Sequence, residues 1–179
     1  GKEKILQIAY KLADYLDRVF GPEEGKLHGY PGHQEIEIAL LKLYDLSGNE
    51  KYLNLAGYFI NTRGTSDRDE TYSFTDQEHM QSHLPVREQV TAEGHSVRAL
   101  YLYSGMADLA LETKEEKLTE ICRTLFENIT EKRMYITGGV SVAEHYEHDY
   151  VKPLSGNIVE TCATMSWIMV FRRSLDECP

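Results

Sequence analysis

Glu160 and Cys162 stand two residues apart in NIVETCAT (157–164), at the head of an apolar stretch. Carboxylate and thiolate both ligate zinc, but a closed zinc centre takes about four donors. On a regular helix, positions i and i+2 point about 200° apart, so the two side chains reach a common point only at a frayed helix start. Two plainer readings compete with a metal. Asn157 and Glu160 have the spacing of a capping box, with Glu160 bonding back to the helix start. A cysteine in an apolar helix is ordinarily packing. No CxxC or HExxH run completes a ligand set.

A second group of titratable residues lies in AEHYEHDY (143–150), which carries Glu144, His145, Glu147, His148 and Asp149. It reads either as a solvated acidic loop or as the source of a general acid/base acting on a sugar or similar polyol. His33 and His95 each follow a glycine at a helix start. There a histidine caps the helix, faces water, or lines a pocket as a neutral hydrogen-bonding group, because a helix N-terminus disfavours the imidazolium. His79 and His83 fall in an earlier loop, at a spacing that builds no metal site. No phosphate-cradling glycine loop or serine nucleophile elbow is present.

The elements that must position these residues are helical. Residues 3–20 carry apolar side chains at spacings of three and four. Further helices are expected over 33–46, 50–62, 94–112, 115–130 and 159–175, with Ser47-Gly48-Asn49 as a turn and Thr113 to Glu116 as a capping box. The 94–112 segment is apolar nearly all round, so it belongs inside. Gly32-His33, Gly94-His95 and Glu160 open helices at similar intervals, the first two followed by a more amphipathic return helix. Buried inner helices alternating with half-exposed outer ones describe an all-α, partial α/α toroid of helical hairpins. Its period is too long for tetratricopeptide or ankyrin units. Two long polar connections, about 63–93 and 131–157, each precede an inner helix. They should cover one mouth, where His33, His95, Glu160 and loop residues can converge.

The 179 residues predict one domain or a piece of a larger one. A net charge of -10 with no basic run argues against nucleic acid or an anionic membrane as partner. No stretch is apolar and long enough to span a bilayer, and no signal peptide is visible. This favours a cytoplasmic setting, although Gly1 is not a natural start and a leader or earlier domain can precede it. Three cysteines make no disulfide framework. Cys122 reads as an inert packed thiol, and Cys178 is not interpretable so near the end. The strongly apolar last helix, with nothing after it to pack on, reads as the edge of a fragment.

Several stretches, in order, resemble glycoside hydrolase family 127, the β-L-arabinofuranosidase-like enzymes. They are YPGHQEIEIALLKLYDLSGNEKYLNLAGYFINTRG (30–64), PVREQ (85–89), GHSVRALYLYSGMADLA (94–110), MYITGGV (134–140) and ETCATM (160–165). The resemblance implies an (α/α)6 barrel and a retaining glycosidase whose nucleophile is a zinc-bound cysteine thiolate. It implies that Glu160 and Cys162 are two of four zinc ligands, and that the other two are an adjacent cysteine pair outside this chain, one of them the nucleophile. Zinc keeps a coordinated thiol deprotonated, so no separate base is needed. It implies that Glu144, 16 residues before Glu160, is the acid/base. The family's glycine before that residue is Ala143 here, and Glu147 is the fallback. His33 and His95 match histidines that hydrogen-bond the sugar.

The expectations are therefore a carbohydrate substrate, zinc in the full-length parent, and none held by this piece alone, which should be inactive. Inner-helix surface around Trp167, Ile168, Val170 and Phe171 should drive self-association. The competing readings are a non-catalytic carbohydrate-binding or scaffold toroid, and a zinc-independent lyase or epimerase whose activity survives Cys162→Ala.

Overall fold

The computed structural model describes residues 2–66, 76–146, 148–150 and 159–176, with side chains to Arg173. Glu147, the fallback acid/base, and Asn157, the proposed cap partner of Glu160, lie outside the described residues, as does Cys178. Six helices run in order: α1 (Lys2–Val19), α2 (Ile36–Ser47), α3 (Glu50–Thr62), α4 (Ser96–Thr113), α5 (Glu116–Asn128) and α6 (Thr161–Asp176). A short 3-10 turn, Val86–Glu88, precedes α4, and a π-turn, Ile129–Arg133, continues α5. No strand occurs among the described residues, only isolated bridges.

α2 and α3 form a hairpin closed by the expected turn. Gly48 takes the left-handed conformation at φ 65, and the Asn49 side chain accepts the Lys51 N–H at 3.2 Å. α2 starts three residues later than its periodicity suggests. The reason is Gln34, whose buried amide donates to Met80 O and Gln81 Oε1, both at 2.7 Å, and so holds the chain out of helix. The expected capping box at α5 does not form. Thr113 instead closes α4, its hydroxyl donating to Leu109 O at 2.8 Å. Lys114 turns left-handed, and Glu115 is the N-cap with no side-chain cap bond. Its carboxylate is occupied by Arg87 in a bidentate pair at 2.6 and 2.7 Å.

α4 is the central helix, as its composition requires. Ala99, Leu100, Leu102, Met106 and Ala110 are fully enclosed by its neighbours. α6 lies parallel to it. Arg173 clasps Asp108 through two bonds of 2.6 and 2.7 Å, and each residue lies twelve positions past its own helix start. At the opposite end the Arg98 guanidinium, in the first turn of α4, donates to Gly32 O at 2.8 Å, just before α2. α2, α4 and α6 thus start at one end of the molecule. Inner parallel helices with α3 and α5 as return helices are one arc of an α/α toroid.

The surface of α6 corrects one expectation. Trp167 and Val170 are buried, with Trp167 stacked on Phe126 of α5 at 5.0 Å between ring centres. Met165, Ile168 and Phe171 form the exposed stripe instead.

Candidate active site

Residues 142–145 fold back on themselves in a two-residue hairpin. Val142 and His145 exchange backbone bonds at 2.9 and 3.0 Å. Ala143 and Glu144 are its central residues, at φ 45 and φ 71. Two successive positive φ values suit Asn-Gly; a non-glycine residue is strained there. The surroundings hold this shape. Ser96, the first residue of α4, donates its N–H and its hydroxyl to Glu144 O at 2.8 and 3.0 Å. Tyr146 N–H donates to Gly94 O at 3.0 Å. Further along, Asp149 accepts from Lys132, Arg133 and Asn128, and Arg133 also reaches Glu93 at 3.1 Å. The hairpin is thereby seated on the start of α4.

The carboxylate of Glu144 projects into the open, its side chain 62% exposed, with one oxygen 4.0 Å from His95 Nε2. His95 also caps α4, its Nδ1 accepting the Arg98 N–H at 3.5 Å. Of the alternatives open in the sequence, capping is the one this bond shows. With Nδ1 accepting, the neutral ring carries its proton on Nε2, facing the carboxylate. Burial, then the neighbouring His79 and Arg98 charges, holds the His95 pKa below its ordinary value, so the ring is neutral near pH 7. His33 is placed differently. Its ring meets Tyr101 edge-on at 5.9 Å, on the same end of the helices but with no contact to the His95 group. Burial likewise lowers its pKa.

His79 and His145 complete the cluster; the sequence expected their two loops to share a mouth with His95, but spacing singled out neither ring as its neighbour. The three rings lie 5.1 to 5.7 Å apart between centres. They are gathered by buried glutamines that spacing also passed over. Gln81 sits at φ 52, fully enclosed, with its amide nitrogen 3.0 to 3.3 Å from the carbonyls of Glu78, His79, Glu93 and His95. Gln34 bonds its Oε1, and Gln89 donates to its backbone carbonyl at 3.0 Å. Gly94, at φ 71, lets the loop before α4 fold tightly on itself; a Cβ there would fall inside the Glu78 carbonyl.

At the head of α6, Glu160 lies one residue before the helix. Thr164 N–H closes the first helical bond on Glu160 O at 3.1 Å. The i, i+2 divergence of a regular helix therefore does not apply. The Cys162 sulfur is 4.0 Å from Glu160 Oε2, and Cys162 is exposed rather than packed. Zn–S of about 2.3 Å and Zn–O of about 2.0 Å at a tetrahedral angle call for about 3.5 Å between S and O. At 4.0 Å the two donors stand about 0.5 Å wider than that, and a small side-chain rotation would bring both onto one zinc. Among the described residues, no group of three or more His, Cys, Asp or Glu is arranged to hold a metal. No described helix is long and apolar enough to cross a membrane.

An arc of α/α toroid that presents a carboxylate, neutral imidazoles and a Glu–Cys pair at the common start of its inner helices has the frame of a toroid glycosidase. The chain belongs to the β-L-arabinofuranosidase GH127 catalytic-domain family, whose model matches residues 1–177. It is 38% identical over 193 aligned residues to the non-reducing end β-L-arabinofuranosidase of Bifidobacterium longum subsp. longum, covering 98% of this chain and 29% of that protein. Its fold matches the crystal structure of a GH127 β-L-arabinofuranosidase from Geobacillus stearothermophilus T6 with a TM-score of 0.89 and 44% identity. That match covers 97% of this chain and 30% of the other. A second GH127 β-arabinofuranosidase structure matches with a TM-score of 0.87 and 38% identity, covering 95% and 26%. The chain thus spans under a third of these relatives.

Proposed function

We propose that this chain supplies the acid/base side and half the metal site of a retaining β-L-arabinofuranosidase. The observation that carries the reading is Glu144, held by a strained turn on the start of α4 with its carboxyl open to a ligand and His95 Nε2 4.0 Å away. Glu144 donates its proton to the glycosidic oxygen as the leaving group departs. As a carboxylate it then takes a proton from the water that releases the sugar, so one residue serves both half-reactions. His95 and His33, neutral in their surroundings, donate and accept hydrogen bonds to furanose hydroxyls. Glu160 and Cys162 would hold zinc together with two cysteines outside this chain. Bound there, zinc keeps a thiolate deprotonated and nucleophilic at neutral pH.

Elemental analysis of the complete protein tests the metal half. Stoichiometric zinc that is lost in Cys162→Ala and in Glu160→Gln supports the reading. A folded, zinc-free parent would return Cys162 to an exposed surface thiol and favour a binding or zinc-independent role.

A further inference from the structure

His145 Nδ1 lies 3.1 Å from the carbonyl of Ala143, and its Nε2 lies 3.0 Å from His79 Nδ1. A carbonyl only accepts, so His145 carries its proton on Nδ1. Its Nε2 is then the acceptor, and His79 must donate from Nδ1. The protons of both rings are thus assigned by the bonds they make. The ring of His145 spans from the strained carbonyl of the Ala143–Glu144 turn to a separate loop, which Gln81 fixes against His95.

We propose that His79 and His145 are positioning residues for Glu144, forming an imidazole latch that holds the left-handed turn and its carboxyl in place until the pair takes up a second proton. This rests on the acid/base reading of Glu144. The latch survives one proton. If His79 moves its own proton to Nε2, a protonated His145 Nε2 donates to His79 Nδ1, and the bond becomes charge-assisted. Two imidazolium rings set N–H against N–H at 3.0 Å, and the bond is lost. The hairpin then keeps the Ser96 and Tyr146 bonds but loses the tie from His145 to the 76–95 loop.

The groups facing the pair set where this happens. Asp76 and Glu144 favour a protonated His79, while Arg98 and His145 oppose it, and the His95 ring stands 5.1 Å away between centres. Glu78, Glu93 and His148 line the same recess. Burial, followed by His145 and Arg98, puts the pKa of His79 below its ordinary value, so His79 resists becoming an imidazolium beside His145.

Two measurements on the complete protein decide the proposal. Imidazole nitrogen NMR at pH 7.5 should show His145 protonated on Nδ1 and His79 on Nδ1, with the pair titrating in two separated steps. His145 protonated on Nε2, or two independent single titrations, overturns it. In the pH profile of hydrolysis, His79→Ala should lower kcat about tenfold or more with KM little changed, since misplacement of a catalytic group acts on the chemical step. His79→Asn keeps an N–H where Nδ1 stands but takes no proton. It should recover most of the neutral-pH rate and extend activity to lower pH. An unchanged profile in both variants overturns the latch. If the wild type hydrolyses no arabinofuranoside, the functional reading fails, while the nitrogen NMR still decides whether the latch exists.

Discussion

Ala143 sits in a turn that Asn-Gly pairs ordinarily fill, and it stays there because Ser96 and Tyr146 bind both flanks. Its left-handed backbone costs about 1 kcal/mol relative to glycine. Ala143→Gly should therefore raise stability by roughly that amount, read as a higher urea midpoint with an unchanged slope. An unchanged or lower midpoint would mean the turn is not strained. Glu160 was the least legible residue in the sequence. Spacing alone could not separate a cap from a ligand, because the answer depends on the helix beginning at Thr161, and helix boundaries are what periodicity defines least well. His79 was illegible for another reason. Its partner His145 lies 66 positions away, and only the docking of two loops brings them together.

Between elements, the loop before α4 and the hairpin after it are locked by two devices of different chemistry. One is Gly94. Its carbonyl accepts the Tyr146 N–H of the hairpin, and a Gly94→Ala variant, meeting both a positive φ and the Glu78 carbonyl within its own loop, should displace that tie. A thermal melt with an intact transition and an unchanged midpoint would contradict this. The other is Arg133, nearly enclosed between Glu93 and Asp149. Arg133→Met should cost roughly 2 kcal/mol, less than a fully buried pair because both carboxylates keep some water. The helices themselves were readable to within a few residues, since α1, α3 and α5 carry strong apolar periodicity and α4 is apolar nearly all round. The failed capping box at Thr113 shows the limit. A local motif matched, but Thr113 stays in the last turn of α4, its hydroxyl spent on Leu109 O, so it cannot cap α5.

At the scale of the whole chain, acidification should weaken the fold through its histidines. His33, His79 and His95 all have pKa values lowered chiefly by burial. A histidine depressed in the folded state contributes stability that is complete above its unfolded pKa, near 6.5, and is lost as pH falls through its folded pKa. Denaturant midpoints taken downward from pH 7 should fall first across that window, before the carboxylates titrate. A flat curve to pH 5 would contradict this.

The exposed stripe of Met165, Ile168 and Phe171 should make the isolated chain self-associate, and Ile168→Glu should return it to a monomer by light scattering. The toroid plan was visible in the sequence because the inner helices repeat their opening residues. Which face of α6 remains open was not, because Phe126 claims Trp167 only in three dimensions.

The central claim is that Glu144 is the proton donor of a β-L-arabinofuranosidase. The most direct test is the rate at which the complete, zinc-loaded protein releases arabinose from a β-L-arabinofuranoside, compared with its Glu144→Gln variant. The wild type should turn over with retention at the anomeric carbon. The variant, folded and with its zinc content unchanged, should be slower by roughly 10²- to 10⁴-fold. Equal rates, or no release by the wild type, would contradict the account.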